Sequence, residues 1–367
     1  MIRRTFALAA AIATPALAQP HTKNLFLIMS DGLRWQEVFR GGDESLMTKE
    51  QGVEDIPRLK KKFLRETPEA SRWALMPFLW TTVAQTGQLY GNLDKHSDAR
   101  TTNTMWFSYP GYNETFCGFF DPAIDSNKPI PNQNTTVFEW LNTKPAYHGH
   151  VAAFGTWDVF PAIFNEDRCG FVVDDSVRPL KQGTLTPQIE LLNRLKAETP
   201  ARWGGSSFDS LEFHTALEWF THNKPRVMFL GLGETDEWGH EGKYGEYLTA
   251  ASRADAYIAE LWQTCQSMPE YHGTTTFIIT CDHGRGDNTK DPKDWNNHGA
   301  KHPGSGQIWI GILGPDTPAL GERHDCEPVT QSQIAATIAA LLGENYNATE
   351  PRAGAPIKDA LPTATPR

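Results

Sequence analysis

The chain has 367 residues, 39% hydrophobic and 21% charged, with a mean hydropathy of −0.47. That balance suits a water-soluble α/β protein with enough apolar side chains for a large core, and it excludes a disordered or fibrous chain. A formal charge of −10 argues against long nucleic acid as a partner held through counterion release.

The N-terminus, "MIRRTFALAAAIATPALAQPH", has a basic start, an apolar stretch too short to span a bilayer, and Ala16-Leu17-Ala18 before Gln19. Residues 1–18 therefore read as a cleaved secretory signal, with 19–367 as one exported α/β domain, periplasmic or secreted. Arg3-Arg4 fits both a twin-arginine and an ordinary signal. No other segment has the length and apolarity of a membrane span. Five cysteines in an oxidising compartment leave at least one unpaired, and one disulfide is expected among Cys117, Cys169, Cys265 and Cys326, with Cys281 buried in a strand.

Along the chain, apolar runs alternate with amphipathic ones. Strands are expected at 24–30, 150–155, 226–233, 274–280 and 307–314, and helices at 187–198, 207–222, 244–267 and 331–342. Strands apolar on both faces and separated by helices imply a mostly parallel central β-sheet covered on both sides. Insertions roughly within 119–185 would form a small cap, and the Pro/Ala-rich tail after Gly343 reads as a loosely attached surface segment.

In such folds chemistry collects beyond the carboxyl ends of the strands. The first strand ends in Asp31-Gly32. The run at 226–233 leads into Asp236-x-x-x-His240, two side chains that share a face if the segment is helical. The run at 274–280 ends in Cys281-Asp282-His283-Gly284, and "NNHGAKH" then supplies His298 and His302. Singly, a strand-end Asp is a common helix cap and a lone His a common hydrogen-bonding residue. Together, six or seven oxygen and nitrogen donors brought to one sheet edge would repel and desolvate one another without a cation. Two divalent ions account for that number, and a mixed Asp/His set suits zinc better than calcium or magnesium. In "FSYPGYNETFCG" (107–118), Ser108 with Pro110 two residues later marks a helix start. Ser108 is then a cap, or else a nucleophile presented where backbone N–H groups face an anion.

The order Asp31-Gly32, Ser108-x-Pro110 with Gly118, Asp236-x-x-x-His240, Asp282-His283-Gly284 and a late His-Gly resembles the alkaline phosphatase superfamily. Within it the pattern is closest to the nucleotide pyrophosphatase/phosphodiesterase and related phosphatase members. The resemblance implies one metal held by Asp236, His240 and His298, with His302 in reserve. It implies a second held by Asp31, Asp282, His283 and the Ser108 oxygen. Ser108 would attack phosphorus and pass through a phosphoseryl intermediate, with Asn127 steadying a phosphoryl oxygen. Arg285 can pair with a phosphate oxygen, or with Asp287. Serine stands where threonine is commoner, and Tyr112 stands where sulfatases carry the arginine needed for formylglycine conversion. The expected substrate is a small phosphate mono- or diester. Sulfate-ester or phosphonate hydrolysis, or inactive metal or anion binding, are the alternatives. Trp73, Trp80, Trp106, Trp140 and Trp157 are candidates for an aromatic pocket or for the core.

Overall fold

The computed structural model describes residues 21–362, so the signal expected at 1–18 lies outside the described residues. Ten strands form in chain order: β1 (Asn24–Ser30), β2 (Gln88–Tyr90), β3 (Ala99–Arg100), β4 (Val151–Gly155), β5 (Val172–Asp174), β6 (Val227–Leu232), β7 (Thr275–Thr280), β8 (Ile310–Leu313), β9 (Gly321–Glu322) and β10 (Val329–Thr330). Eight of them make one sheet in the order β5-β4-β6-β1-β7-β8-β2-β9, while β3 and β10 pair separately. From β5 to β7 every pairing is parallel. The reversal comes at β8, which runs antiparallel to β7 and to β2.

Every residue of β1, β6 and β7 is buried, as helices on both faces require. The helix Asp209–Asn223 leads from β5 into β6 and the 24-residue helix Tyr244–Ser267 from β6 into β7, crossovers that join parallel strands on either side of β4 and of β1. An aromatic cluster of Phe116, Phe138, Phe164 and Phe229 fills one side, with Phe116 and Phe164 stacked at 4.7 Å.

Register aligns the strand ends. Ser30 lies opposite Leu232 and Met29 opposite Thr280, so β1, β6 and β7 stop at one level and the residues that follow leave from a common edge.

Three expectations change. The tail after Gly343 is anchored rather than loose: Ala353, Ile357 and Ala360 are buried, the Gly354 N–H donates to the Gly118 carbonyl (2.9 Å) and the Ile357 N–H to Thr337 Oγ1 (2.9 Å). All five cysteines are free thiols, four of them buried at separate places in the core, so the expected disulfide does not form. Residues 119–185 contain β4 and β5 of the main sheet and the short helices Val137–Asn142, Phe160–Ile163 and Glu166–Cys169, so much of this segment belongs to the α/β body itself. Among the described residues no helix is long and apolar enough to cross a membrane.

Candidate metal centre and active site

Asp31 follows β1 directly, Asp282 lies two residues beyond β7, and Asp236 sits in the first turn of the short helix Glu234–His240 after β6. Gly32 makes the first turn possible. It has φ of +60°, and a Cβ there would come within 2.5 Å of Asp236 Oδ1. Its N–H donates to Asp282 Oδ1 (3.1 Å), and the Tyr112 hydroxyl donates to Asp31 Oδ2 (2.8 Å).

His283 Nε2 is the centre of the arrangement. It lies 3.4 Å from Asp31 Oδ1, 3.3 Å from Asp282 Oδ2, 4.0 Å from Asp236 Oδ1 and 3.4 Å from Ser108 Oγ. Its Nδ1 is 2.8 Å from the Gly284 carbonyl, which can only accept, so Nδ1 carries the proton and Nε2 offers a lone pair. The same logic applies to His298, whose Nδ1 is 3.1 Å from the Trp106 carbonyl. Its Nε2 stands 3.8 Å from Asp236 Oδ1 and 3.0 Å from His240 Nε2, and the latter is 3.1 Å from Asp236 Oδ2. Two ligand sets result, Asp31/Asp282/His283 and Asp236/His283/His298, with His240 at the solvent side of the second. His283 thus borders both sets, where the sequence reading gave it to one.

The electrostatics call for cations. Asp31 Oδ1 and Asp282 Oδ2 are buried without a hydrogen-bond partner, a costly state for carboxylates. Burial, with repulsion from Asp282 and Asp236, pushes the Asp31 carboxyl well above the usual range, and burial raises Asp282 too. For Asp236 burial pulls upward, but Arg285, His240 and His298 outweigh it and hold the carboxyl well below that range. Burial and the neighbouring His283 keep His298 neutral well below the usual imidazole range, the form that binds metal. Orphaned oxygens, aimed lone pairs and a mixed O/N donor set all fit divalent cations.

Ser108 is the first residue of the buried helix Ser108–Cys117. Phe107 occupies the N-cap and makes no side-chain cap, so the Ser108 hydroxyl is not spent on capping, and Pro110 falls at the third helical position rather than the first. Gly111 allows the helix to close on the β7 end, since a Cβ there would meet the Asp282 carbonyl at 2.5 Å.

A cavity of about 170 Å³ opens beside these groups, bordered by Asp31, Ser108, Asn127, Trp157, Asp236 and His298 among others. Asn127 Oδ1 accepts from the Tyr109 N–H (3.0 Å), which turns its amide nitrogen free to donate elsewhere.

Residues 209–345 match the sequence model of the family described as the Metalloenzyme superfamily. No curated protein sequence matches the chain. Among solved structures, the alkaline phosphatase PafA superposes with a TM-score of 0.56 at 10% identity, covering 94% of this chain and 100% of that one. The phosphonate monoester hydrolase SpPMH from Silicibacter pomeroyi gives 0.54 at 13% identity (94% and 78% covered), and a 2-O GAG sulfatase 0.54 at 11% (95% and 76%). The chain has the alkaline phosphatase fold. The metalloenzyme match spans Asp236, His240, Asp282, His283 and His298, and it implies a divalent metal.

On this alkaline phosphatase frame two sequence candidates fall elsewhere. Arg285 does not border the cavity: fully buried, it is bound to Asp236 and to the carbonyls of Trp295 (2.7 Å) and Asn296, so it pairs with neither Asp287 nor an incoming anion. His302 turns its Nδ1 to Asp294 Oδ1 (2.6 Å) and joins neither ligand set. Of the five tryptophans considered, Trp157 borders the cavity. Trp80 and Trp140 are buried, and Trp73 is exposed. Trp106 adopts φ of +54°, strained for so bulky a residue, and its carbonyl orients His298.

Tyr112 entered the sequence reading only as the residue standing where sulfatases carry arginine, not as the partner of Asp31, and Glu114 did not enter it. Tyr112 stands four residues after Ser108, the spacing that shares a helix face, and that was its available signal. Glu114 accepts from Thr102 and Asn103 and so pins the loop that carries Trp106.

Proposed function

We propose that the protein is an exported, two-metal hydrolase of small phosphate esters that works through a phosphoseryl intermediate on Ser108. The observation that carries this reading is the Ser108 hydroxyl, uncapped and 3.4 Å from His283 Nε2, at the junction of two cation-ready ligand sets.

Asp31, Asp282 and His283 would hold one divalent ion, zinc by its donor set, with the Ser108 oxygen beside it, and Asp236, His240 and His298 the other. When bound, such a pair polarises the phosphoryl oxygens and lowers the pKa of the attacking hydroxyl. The chain's own residues do the rest. Ser108, at the positive end of its helix, is fixed in place by the packing of Gly111 on Asp282. Its oxygen attacks phosphorus, the P–O bond to the leaving alcohol breaks, and the alcohol departs with the proton. The Asn127 amide donates to a non-bridging oxygen, while Trp157 and Phe160 line the site beside it. A water then adds to phosphorus, the P–O bond to Ser108 breaks and Ser108 regains its proton, freeing phosphate from a monoester substrate or a phosphate monoester from a diester.

The test is Ser108→Ala. It is expected to cut turnover of p-nitrophenyl phosphate esters by about 10³-fold or more while bound zinc stays at the wild-type level. A variant as active as wild type overturns the reading. Sulfate-ester hydrolysis is the second reading, favoured by the sulfatase that shares the fold, although Tyr112 replaces the arginine of the formylglycine motif. Faster cleavage of p-nitrophenyl sulfate than of either phosphate would establish it.

A further inference from the structure

The two ligand sets differ in charge. Asp31 and Asp282 bring two buried carboxylates to the first, and the salt-bridge partner of each is His283, whose Nε2 is unprotonated. Among the described residues no lysine or arginine pairs with either. The second set has one carboxylate, Asp236, and its charge is already met. Arg285 Nη1 is bound to Asp236 Oδ1, the oxygen that faces His283 (4.0 Å) and His298 (3.8 Å), while Asp236 Oδ2 lies 3.1 Å from His240 Nε2.

Arg285 is built into this place. It is fully buried, and its guanidinium occupies the gap left by two glycines: a Cβ on Gly32 would come within 2.9 Å of Nη1 and one on Gly239 within 2.6 Å of Cζ. Its Nε donates to the Trp295 carbonyl (2.7 Å) and its Nη2 to the Asn296 carbonyl, on the loop that runs on to His298. A guanidinium keeps its proton in a protein, so this charge is permanent, and these bonds hold it where it stands. A dication entering the first set meets two carboxylates that no other cation offsets. One entering the second meets a single carboxylate already shared with a fixed positive charge, and it is repelled by that charge in a poorly hydrated place.

We infer that Arg285, acting through Asp236, is a positioning residue that makes the two cation sites unequal: the Asp31/Asp282/His283 site fills first and keeps its ion, and the Asp236/His240/His298 site takes a weaker, exchangeable second ion. Completion of the centre then follows the free zinc concentration. The inference rests on the reading of both ligand sets as cation sites and does not depend on the role of Ser108.

The experiment is a calorimetric titration of the metal-free full chain with zinc at one fixed pH. Wild type is expected to bind two ions in steps whose Kd values differ by at least about tenfold. Asp236→Asn should remove the weaker step and Asp282→Asn the stronger. Two equal steps, or loss of the weaker step in Asp282→Asn, overturn the inference without any change at Arg285. Arg285→Gln and Arg285→Lys both give up the forked bonds to the Trp295 and Asn296 carbonyls, but only the lysine keeps the charge. The weaker step should be tighter in Arg285→Gln than in Arg285→Lys by at least about tenfold, a direction that lost packing alone does not produce, and equal affinities overturn the role of the charge. Turnover of p-nitrophenyl phosphate esters is read separately. Two unequal zinc steps in a protein that hydrolyses no ester support this inference and overturn the hydrolase reading, and two equal steps in an active enzyme do the reverse.

Discussion

At the scale of the residue, His283 concentrates the chemistry. Its Nε2 lies within 3.4 Å of Asp31, Asp282 and Ser108 oxygens, and the Gly284 carbonyl fixes its tautomer so that this nitrogen is a base or ligand rather than a donor. His302 differs in kind, since its ring is committed to Asp294. The two histidines therefore make a matched pair. His283→Ala is expected to lose at least one of two bound zinc ions, with affinity down by about 10²-fold or more, whereas His302→Ala keeps both. Metal content after dialysis checks this, and equal zinc in the two variants would remove His283 from the ligand set.

At the scale of the element, the helix Ser108–Cys117 sets the distance between nucleophile and ligands through Gly111 against the Asp282 carbonyl and the Tyr112 hydroxyl on Asp31. Gly111→Ala places a methyl 2.5 Å from that oxygen, so the helix must retreat. Overpacking of this kind costs about 1–3 kcal/mol, and a shift of about 1 Å at Ser108 is worth about 10² in rate. Urea unfolding and kcat/KM should both fall, and a variant unchanged in both would show that the contact does not position Ser108. The elements themselves differ in legibility. The strand at 24–30 and the helices 187–198 and 244–267 have the bounds expected from their patterns, because long apolar or periodic runs carry their own structure. The short strands Gln88–Tyr90, Val172–Asp174 and Gly321–Glu322 carry no such pattern and are strands only because neighbours pair with them. The site divides in the same way. Asp31, Asp236, Asp282 and His283 stand at the ends of readable runs, but the burial of Arg285 behind Asp236 and the Trp106 carbonyl on His298 depend on how irregular loops fold back.

At the scale of the whole molecule, the sheet register itself forces like charges together, and pH must register that. With Ser30 opposite Leu232 and Met29 opposite Thr280, the carboxylates beyond β1, β6 and β7 have nowhere else to go. Without cations, burial raises both the Asp31 and the Asp282 carboxyl above the ordinary range, helped by repulsion from Asp282 and Asp236 at Asp31 and from Asp236 at Asp282, shifts that the unfolded chain lacks. Between the unfolded pKa of about 4 and those raised values the native state binds more protons, so stability of the metal-free protein falls as pH rises through that window. Asp255, buried and pushed up to about 7 by desolvation despite N–H bonds from Phe78 and Leu79, adds a slope of the same sign that metal does not touch. Asp236 has the opposite sign, but its contribution is lost only as pH falls below the usual carboxylate range. Zinc cancels the repulsion at Asp31 and Asp282 and binds the deprotonated ligands, so its stabilisation must grow with pH. Scanning calorimetry at pH 5 and pH 8, with chelator and with zinc, should show the larger rise in Tm at pH 8, by about 2–4 °C for each kcal/mol of added stability. Asp255→Asn should flatten the slope that remains in zinc. A zinc increment equal at both pH values, or larger at pH 5, would mean that Asp31 and Asp282 are not the groups that hold the ions.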